Sequence, residues 1–135
     1  MSPAAKGENI MVINCTPHDV LIYGVTSCML QDDGRPYIRE EGEEYPEPLR
    51  VYPAAKDPAR AIYVRRTAGA VDGAFIYRRF PEEIVNLPEP KSGTYYIVPK
   101  TLAQACPERK DLIFPGTVVR DADGRVVGCI DFSRV

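Results

Sequence analysis

The chain of 135 residues and 15.0 kDa suits one domain with a single ordinary hydrophobic core. Seventeen basic and nineteen acidic residues give a formal net charge of -2, which disfavours general nucleic-acid binding through a global positive field. No apolar run approaches the ~18 residues of a membrane span, and no secretion signal opens the chain. We therefore expect a cytoplasmic protein with a flexible leader at 1–8 and a single domain at 9–135.

In the first half, short β-prone runs alternate with turn signals. Residues 10–14 and 20–23 predict a hairpin, with Pro17 fixing the corner between its strands. Residues 31–48 carry two glycines, three prolines and four glutamates between 40 and 44, which predicts a solvated acidic loop.

Residues 49–52, 61–65 and 74–80 are further candidate strands. The pairs Arg65-Arg66 and Arg78-Arg79 lie at the ends of the last two. Because side chains alternate between the faces of a strand, we expect one arginine of each pair to face solvent.

The second half gives clearer signals. The continuous apolar run at 95–98 predicts a central buried strand, and residues 101–106 predict a short helix capped by Thr101 and ended by Pro107. The Asp123-Gly124 step predicts a hairpin that pairs 118–120 with 126–128. Together these elements predict an α+β fold, a mostly antiparallel β-sheet with one short helix in a single compact domain.

The cysteine pattern indicates neither metal binding nor secretion. Four cysteines (Cys15, Cys28, Cys106 and Cys129) accompany one histidine, without any spacing typical of zinc sites. Phosphate-binding glycine loops and calcium loops are also absent from the sequence. We expect four free thiols, no metal and no cofactor.

His18 is the only histidine, and histidine is the residue type whose ordinary pKa lies closest to neutrality. Either Thr16 and His18 hydrogen-bond the backbone of their own turn, or they join Asn14 in binding a ligand. His18 could act as a general base, but no motif supplies its partner. A nucleophilic Cys15 activated by His18 is a weaker alternative.

Charged residues at connections complete the candidate site. Arg109 either pairs with Asp111 or binds an anionic group, and Arg120 ends a predicted strand. Twelve arginines against five lysines, and eight tyrosines, favour a surface that makes contacts, although coding bias and ordinary ion pairs explain the same counts.

Three segments resemble a family of small, mostly uncharacterised phage and prophage proteins. They are residues 13–18 (Ile-Asn-Cys-Thr-Pro-His), residues 87–98 with Leu-Pro-Glu-Pro and Tyr-Tyr-Ile-Val, and residues 107–121 with Arg-Lys-Asp and Pro-Gly. The family usually has Leu at position 15 and Ser at position 99, where this chain has Cys15 and Pro99. The resemblance implies a mobile-element protein in the cytoplasm of a bacterial host, where such proteins often counter host defences or assist phage replication.

Three functions stay open. The first is binding of a small anionic, nucleotide-like ligand by Asn14, Thr16, His18, Arg109, Asp111 and Arg120, in a chain that could form homo-oligomers. The second is an enzyme that acts on such a ligand with His18 as acid or base. The third is a module that blocks a host protein through arginine and tyrosine side chains.

Overall fold

The computed structural model describes residues 9–38 and 46–135. The predicted leader and the glutamates at 40–44 lie outside them. The described strands are β1 (Met11–Asn14), β2 (Val20–Ile22), β3 (Cys28–Leu30), β4 (Pro36–Ile38), β5 (Arg50–Tyr52), β6 (Arg60–Val71), β7 (Ala74–Val85), β8 (Thr94–Ile97), β9 (Leu112–Pro115), β10 (Val118–Arg120), β11 (Val126–Cys129) and β12 (Phe132–Ser133). The same residues contain an α-helix, α1 (Lys100–Ala105), and a 3₁₀ turn at Val25–Ser27.

These strands form two mixed sheets and a separate ribbon. The first sheet has the order β1-β8-β9-β12, with β1, β8 and β9 parallel and β12 antiparallel to β9. The second has the order β3-β4-β10-β11-β2-β5 and includes two parallel pairs, β4 with β10 and β2 with β11. The prediction of mostly antiparallel pairing is therefore wrong, although the strand-rich fold with one short helix is correct.

The apolar run at 95–98 is buried because both faces of β8 are covered. Tyr96 and Val98 pack in one cluster with Leu102 of α1, whereas Ile97 packs in another with Val20 and Cys129 of the second sheet. Alternate side chains of one strand thus serve two cores. The predicted central strand is confirmed, since β8 lies between β1 and β9.

The predicted hairpin across Asp123-Gly124 is also confirmed, because Val119 pairs with Gly128 and Arg120 with Val126. Helix α1 has the predicted position, but Thr101 does not cap it. The N-cap is Pro99, and no side chain donates or accepts a capping hydrogen bond there.

Two predictions from the first half are wrong. Strands β1 and β2 do not form a hairpin, because β1 pairs with β8 and β2 with β5 and β11. The predicted loop at 31–48 contains β4, whose Pro36 and Ile38 are buried. Both errors have one cause, since distant partners, rather than local sequence, bury these short strands.

Strands β6 and β7 form a two-stranded antiparallel ribbon of twelve residues each. Its turn is Asp72-Gly73, with φ of 48° and 79°, the positive values that a tight hairpin turn requires. All four arginines of the pairs at 65–66 and 78–79 are exposed, because both ribbon faces are open to solvent. We expected one arginine of each pair to face solvent, and in the ribbon both members of each pair do.

Helix α1 is far too short to cross a bilayer, and no other helix among residues 9–38 and 46–135 meets the length and hydropathy of a membrane span.

Candidate functional site: a pocket at the ends of parallel strands

A pocket of about 480 Å³ lies where β1, β8 and β9 reach their carboxyl ends and meet β2 and β11. Apolar residues provide most of its lining, among them Val20, Leu21, Val98, Pro99, Phe114, Pro115, Val118, Val126, Val127 and Cys129. Its polar side chains are those of Thr16, His18, Asp19 and Lys100. Apolar walls with few polar groups are typical of small-molecule sites.

The corner after β1 is organised by Asn14, whose side chain is buried. Its Nδ2 donates to the carbonyl oxygens of His18 at 2.8 Å and Tyr52 at 3.0 Å. Its Oδ1 accepts from the backbone N–H of Thr16 at 2.9 Å and from Thr16 Oγ1 at 2.7 Å. The amide thus uses both donors and both acceptor sites internally, so Asn14 positions the corner rather than meeting a ligand.

The side chains of His18 and Asp19 line the pocket and are exposed. Asp19 Oδ1 accepts the backbone N–H of Ala54 at 2.8 Å, which joins the corner to the chain after β5. In the part of the chain that the structure describes, no group hydrogen-bonds the His18 imidazole. The turn is therefore held by Asn14 and Thr16, and the imidazole is not needed for it.

The pocket thiol is not activated. Burial, with a smaller contribution from the carboxylate of Asp131, raises the pKa of Cys129 to about 11. Burial also raises the pKa of Cys15, and the positive charge of Arg109 only partly opposes this. A nucleophilic cysteine needs the opposite shift, so the structure argues against the Cys15 hypothesis.

Arg109 and Asp111 form an intramolecular pair outside this pocket. Arg109 Nε and Nη2 each lie 2.8 Å from a different oxygen of Asp111, and Nη2 also donates to the Pro88 carbonyl at 2.9 Å. Asp111 is 2 % exposed. Of the two alternatives for Arg109, pairing with Asp111 or binding an anionic group, the structure shows the pairing.

Arg120 is also engaged locally, since its Nη1 donates to the Gly124 carbonyl at 2.7 Å within the β10–β11 hairpin. Of the six predicted site residues, only Thr16 and His18 line the pocket, with Asn14 behind them. Arg109, Asp111 and Arg120 are not among its lining residues.

Lys100 was missed by sequence reasoning. It is the first residue of α1 and follows the buried run that ends β8. A charged residue directly after a buried strand is a usable signal only if that strand is parallel to its neighbours, because carboxyl ends then meet at one edge. Because the sequence predicted mostly antiparallel pairing, it gave no reason to place Lys100 at an edge shared with other strand ends.

Among residues 9–38 and 46–135, no three His, Cys, Asp or Glu side chains are arranged to hold a metal ion. Comparison of the chain with protein-family models, curated proteins and solved structures found no match. The pocket and the fold are therefore the basis for assigning a function.

Proposed function

We propose that the chain is a binding protein for a small anionic ligand of the nucleotide class, held in the pocket beside His18 and Lys100. The observation that carries the proposal is the combination of extensive apolar walls with one lysine and one histidine side chain in a pocket at the carboxyl ends of three parallel strands. Ligands commonly bind at this edge of a parallel sheet.

The apolar walls suit a planar base. Val98 just after β8, Phe114 of β9 and Val126 of β11 line the pocket, and they would remove a flat heteroaromatic ring from water. The volume of about 480 Å³ lies within the ~300–1,000 Å³ typical of small-molecule sites.

The polar groups suit the rest of a nucleotide. Lys100 is exposed, and its amino group would attract a phosphate. His18 lines the same pocket with its ring nitrogens unengaged by described residues. Asp19 Oδ1 is occupied by Ala54, which leaves Oδ2 to accept from a ribose hydroxyl or a base amine.

Binding without catalysis fits these groups better than an enzyme. A general base needs an orienting partner, and no described side chain hydrogen-bonds the imidazole of His18. A thiol nucleophile needs a lowered pKa, whereas burial raises the pKa of both Cys15 and Cys129.

The resemblance to phage proteins supplies a biological context for the proposal. In a bacterial host, sequestration of a signalling nucleotide would counter a defence that depends on it. This context predicts tight binding and release of the ligand unchanged.

The test is isothermal titration with nucleoside monophosphates, cyclic mononucleotides and cyclic dinucleotides, followed by mass spectrometry of the recovered ligand. Lys100→Gln should weaken binding about tenfold or more, since a charged hydrogen bond contributes roughly 1.5–3 kcal/mol. Lys91→Gln is the matched control, because Lys91 is exposed in the turn before β8, at the opposite end of that strand.

Intact ligand with a selective Lys100→Gln effect supports the proposal. A ligand of altered mass would favour the enzyme with His18 as acid or base. Absence of binding across the panel, or equal losses in both variants, would overturn the pocket assignment and favour a protein partner.

A further inference from the structure

The part of the β6–β7 ribbon beyond Tyr63 and Pro81 extends away from the sheets. Tyr63 Oη donates to the Thr101 carbonyl at 3.1 Å, and from residue 65 to residue 79 every residue is exposed. Eight residues from Val64 to Val71 span ~26 Å at ~3.3 Å per residue. No described strand pairs with either edge of this arm and its two faces are exposed, and such a ribbon is only marginally stable in water by itself.

Four arginines form a collar around the arm. Arg65 lies directly opposite Arg79 on one face, and Arg66 opposite Arg78 on the other. Like charges in opposed positions destabilise a ribbon. The two ion pairs found among the described residues are elsewhere, at Arg35–Asp33 and Arg109–Asp111, so no described carboxylate neutralises the collar.

Aromatic rings hold these arginines instead. The guanidinium carbon of Arg65 lies 4.1 Å from the centroid of the Tyr77 ring, and that of Arg79 lies 4.7 Å from Tyr63. On the other face, Arg78 and Arg66 lie 5.0 and 5.9 Å from Phe80. Stacking uses the flat face of a guanidinium and leaves the N–H groups in its plane available for phosphate.

The arm and the rest of the chain, here called the body, have net charges of opposite sign. Residues 63–81 hold four arginines and one acid, Asp72, a net charge of +3, which leaves thirteen basic and eighteen acidic residues elsewhere, a net charge of -5. The overall value of -2 therefore conceals a basic arm on an acidic body. A partner attracted to the arm and repelled by the body would bind at the arm alone.

We propose that the β6–β7 arm binds double-stranded DNA by lying lengthwise in the major groove, with Arg65, Arg66, Arg78 and Arg79 contacting the phosphates that border it. A two-stranded ribbon fits a groove ~12 Å wide, but not the ~6 Å minor groove or the narrow major groove of double-stranded RNA. The ~26 Å arm matches about eight base pairs at ~3.4 Å each.

The details of the arm favour a duplex over other partners. Single strands bind by stacking bases on several aromatic rings, but a guanidinium group lies over each of the rings of Tyr63, Tyr77 and Phe80, which leaves Phe75 as the arm ring without one. A dense line of phosphates can neutralise arginines on both faces at once, which a single protein carboxylate cannot. The exposed side chains of Phe75 and Ile76 near the turn add apolar contact, for instance with thymine methyl groups.

The test is fluorescence anisotropy with a labelled 24-base-pair duplex of mixed sequence, between 50 and 200 mM KCl. Four phosphate contacts predict a slope of log K against log salt of about -3.6, so affinity should fall about 10²-fold over this range. Arg65→Gln with Arg79→Gln should reduce the slope by about 1.8, and Arg66→Gln with Arg78→Gln should do the same.

The matched control is Arg125→Gln with Arg134→Gln, which removes two exposed arginines outside the arm and changes the net charge equally. It should leave the slope unchanged. Arg65→Lys with Arg79→Lys keeps the charge and should retain the slope. Thermal unfolding of each variant verifies that the arm variants remain folded.

Several outcomes would overturn the proposal. They are the absence of duplex binding at 50 mM KCl, tighter binding to the single strand or to double-stranded RNA of the same sequence, and an equal loss of slope in the control. Self-association in sedimentation that the arm variants abolish, without DNA binding, would show that the arm docks on a second copy instead.

Discussion

Arg109 and Asp111 bind each other through two parallel hydrogen bonds of 2.8 Å, and the Asp111 side chain is 3 % exposed. The same arginine reaches the Pro88 carbonyl before β8, and the Asp111 carbonyl accepts the N–H of Tyr96 within β8. The pair therefore joins the connection after α1 to the central strand of the first sheet, a structural role that explains why these residues lie outside the pocket lining.

Asp111→Asn should lower the free energy of unfolding by about 3 kcal/mol or more, because it leaves a largely buried guanidinium without its counter-charge. Arg35→Gln is the control, since its ion pair with Asp33 is 3.8 Å long and exposed, and should cost less than ~1 kcal/mol. Urea unfolding at pH 7 measures both. Similar small losses in the two variants would contradict a stabilising role for the buried pair.

The Arg109–Asp111 pair should also make the free energy of unfolding depend on pH. Burial raises the pKa of Asp111, but hydrogen bonds from Arg109 and from the backbone, with the arginine charge, outweigh burial and leave the pKa below its ordinary value. The stabilisation is thus present above the unfolded pKa of ~3.9 and is lost as pH falls through the folded value. The stability difference between wild type and Asp111→Asn should shrink below about pH 4, and a difference constant with pH would exclude this linkage.

Substitutions in the corner after β1 should distinguish the residue that stabilises the fold from the residue that is available to a ligand. Asn14→Ala removes four hydrogen bonds of a buried amide and leaves their partners unsatisfied, so unfolding free energy should fall by about 2 kcal/mol or more. His18→Asn should change stability by less than ~0.5 kcal/mol, because the exposed imidazole has no described hydrogen-bond partner. Thermal and urea unfolding measure both, and a large loss in His18→Asn would assign His18 to the scaffold.

The four cysteines are free thiols in the structure and should differ in reactivity. Cys28 is half-buried and should be alkylated first by iodoacetamide at pH 8, whereas Cys129 should react last. With a pKa of about 11, only about one Cys129 thiol in a thousand is ionised at that pH. Peptide mapping by mass spectrometry gives the order, and fewer than four reactive thiols after denaturation without reductant would reveal a disulfide.

Local chemistry was enough to predict some elements. The Asp123-Gly124 step specifies its own tight turn, so the β10–β11 hairpin follows from adjacent residues. The run Tyr95–Val98 is apolar at every position, which only a strand covered on both faces can accommodate. The Asp72-Gly73 step also specifies a tight hairpin turn. It was not predicted from the sequence, because the strands around it carry arginines rather than a buried apolar pattern.

Other features depend on pairing between distant segments. β1 pairs with β8 some eighty residues away, and nothing in the sequence near Asn14 identifies that partner. This parallel pairing, repeated between β8 and β9, brings Thr16, His18 and Lys100 to one edge and forms the pocket.

The sequence by itself determined several short strands, the Asp123-Gly124 turn, helix α1 and the residue types available for binding, because these depend on neighbours along the chain. Only the tertiary structure decided which charges remain available. It pairs Arg109 with Asp111 in a largely buried position and leaves Lys100 at the pocket and the four ribbon arginines in solvent. The reason is physical: burial and partner distance determine whether a charge stabilises the fold or is available to a ligand, and both are properties of three-dimensional packing.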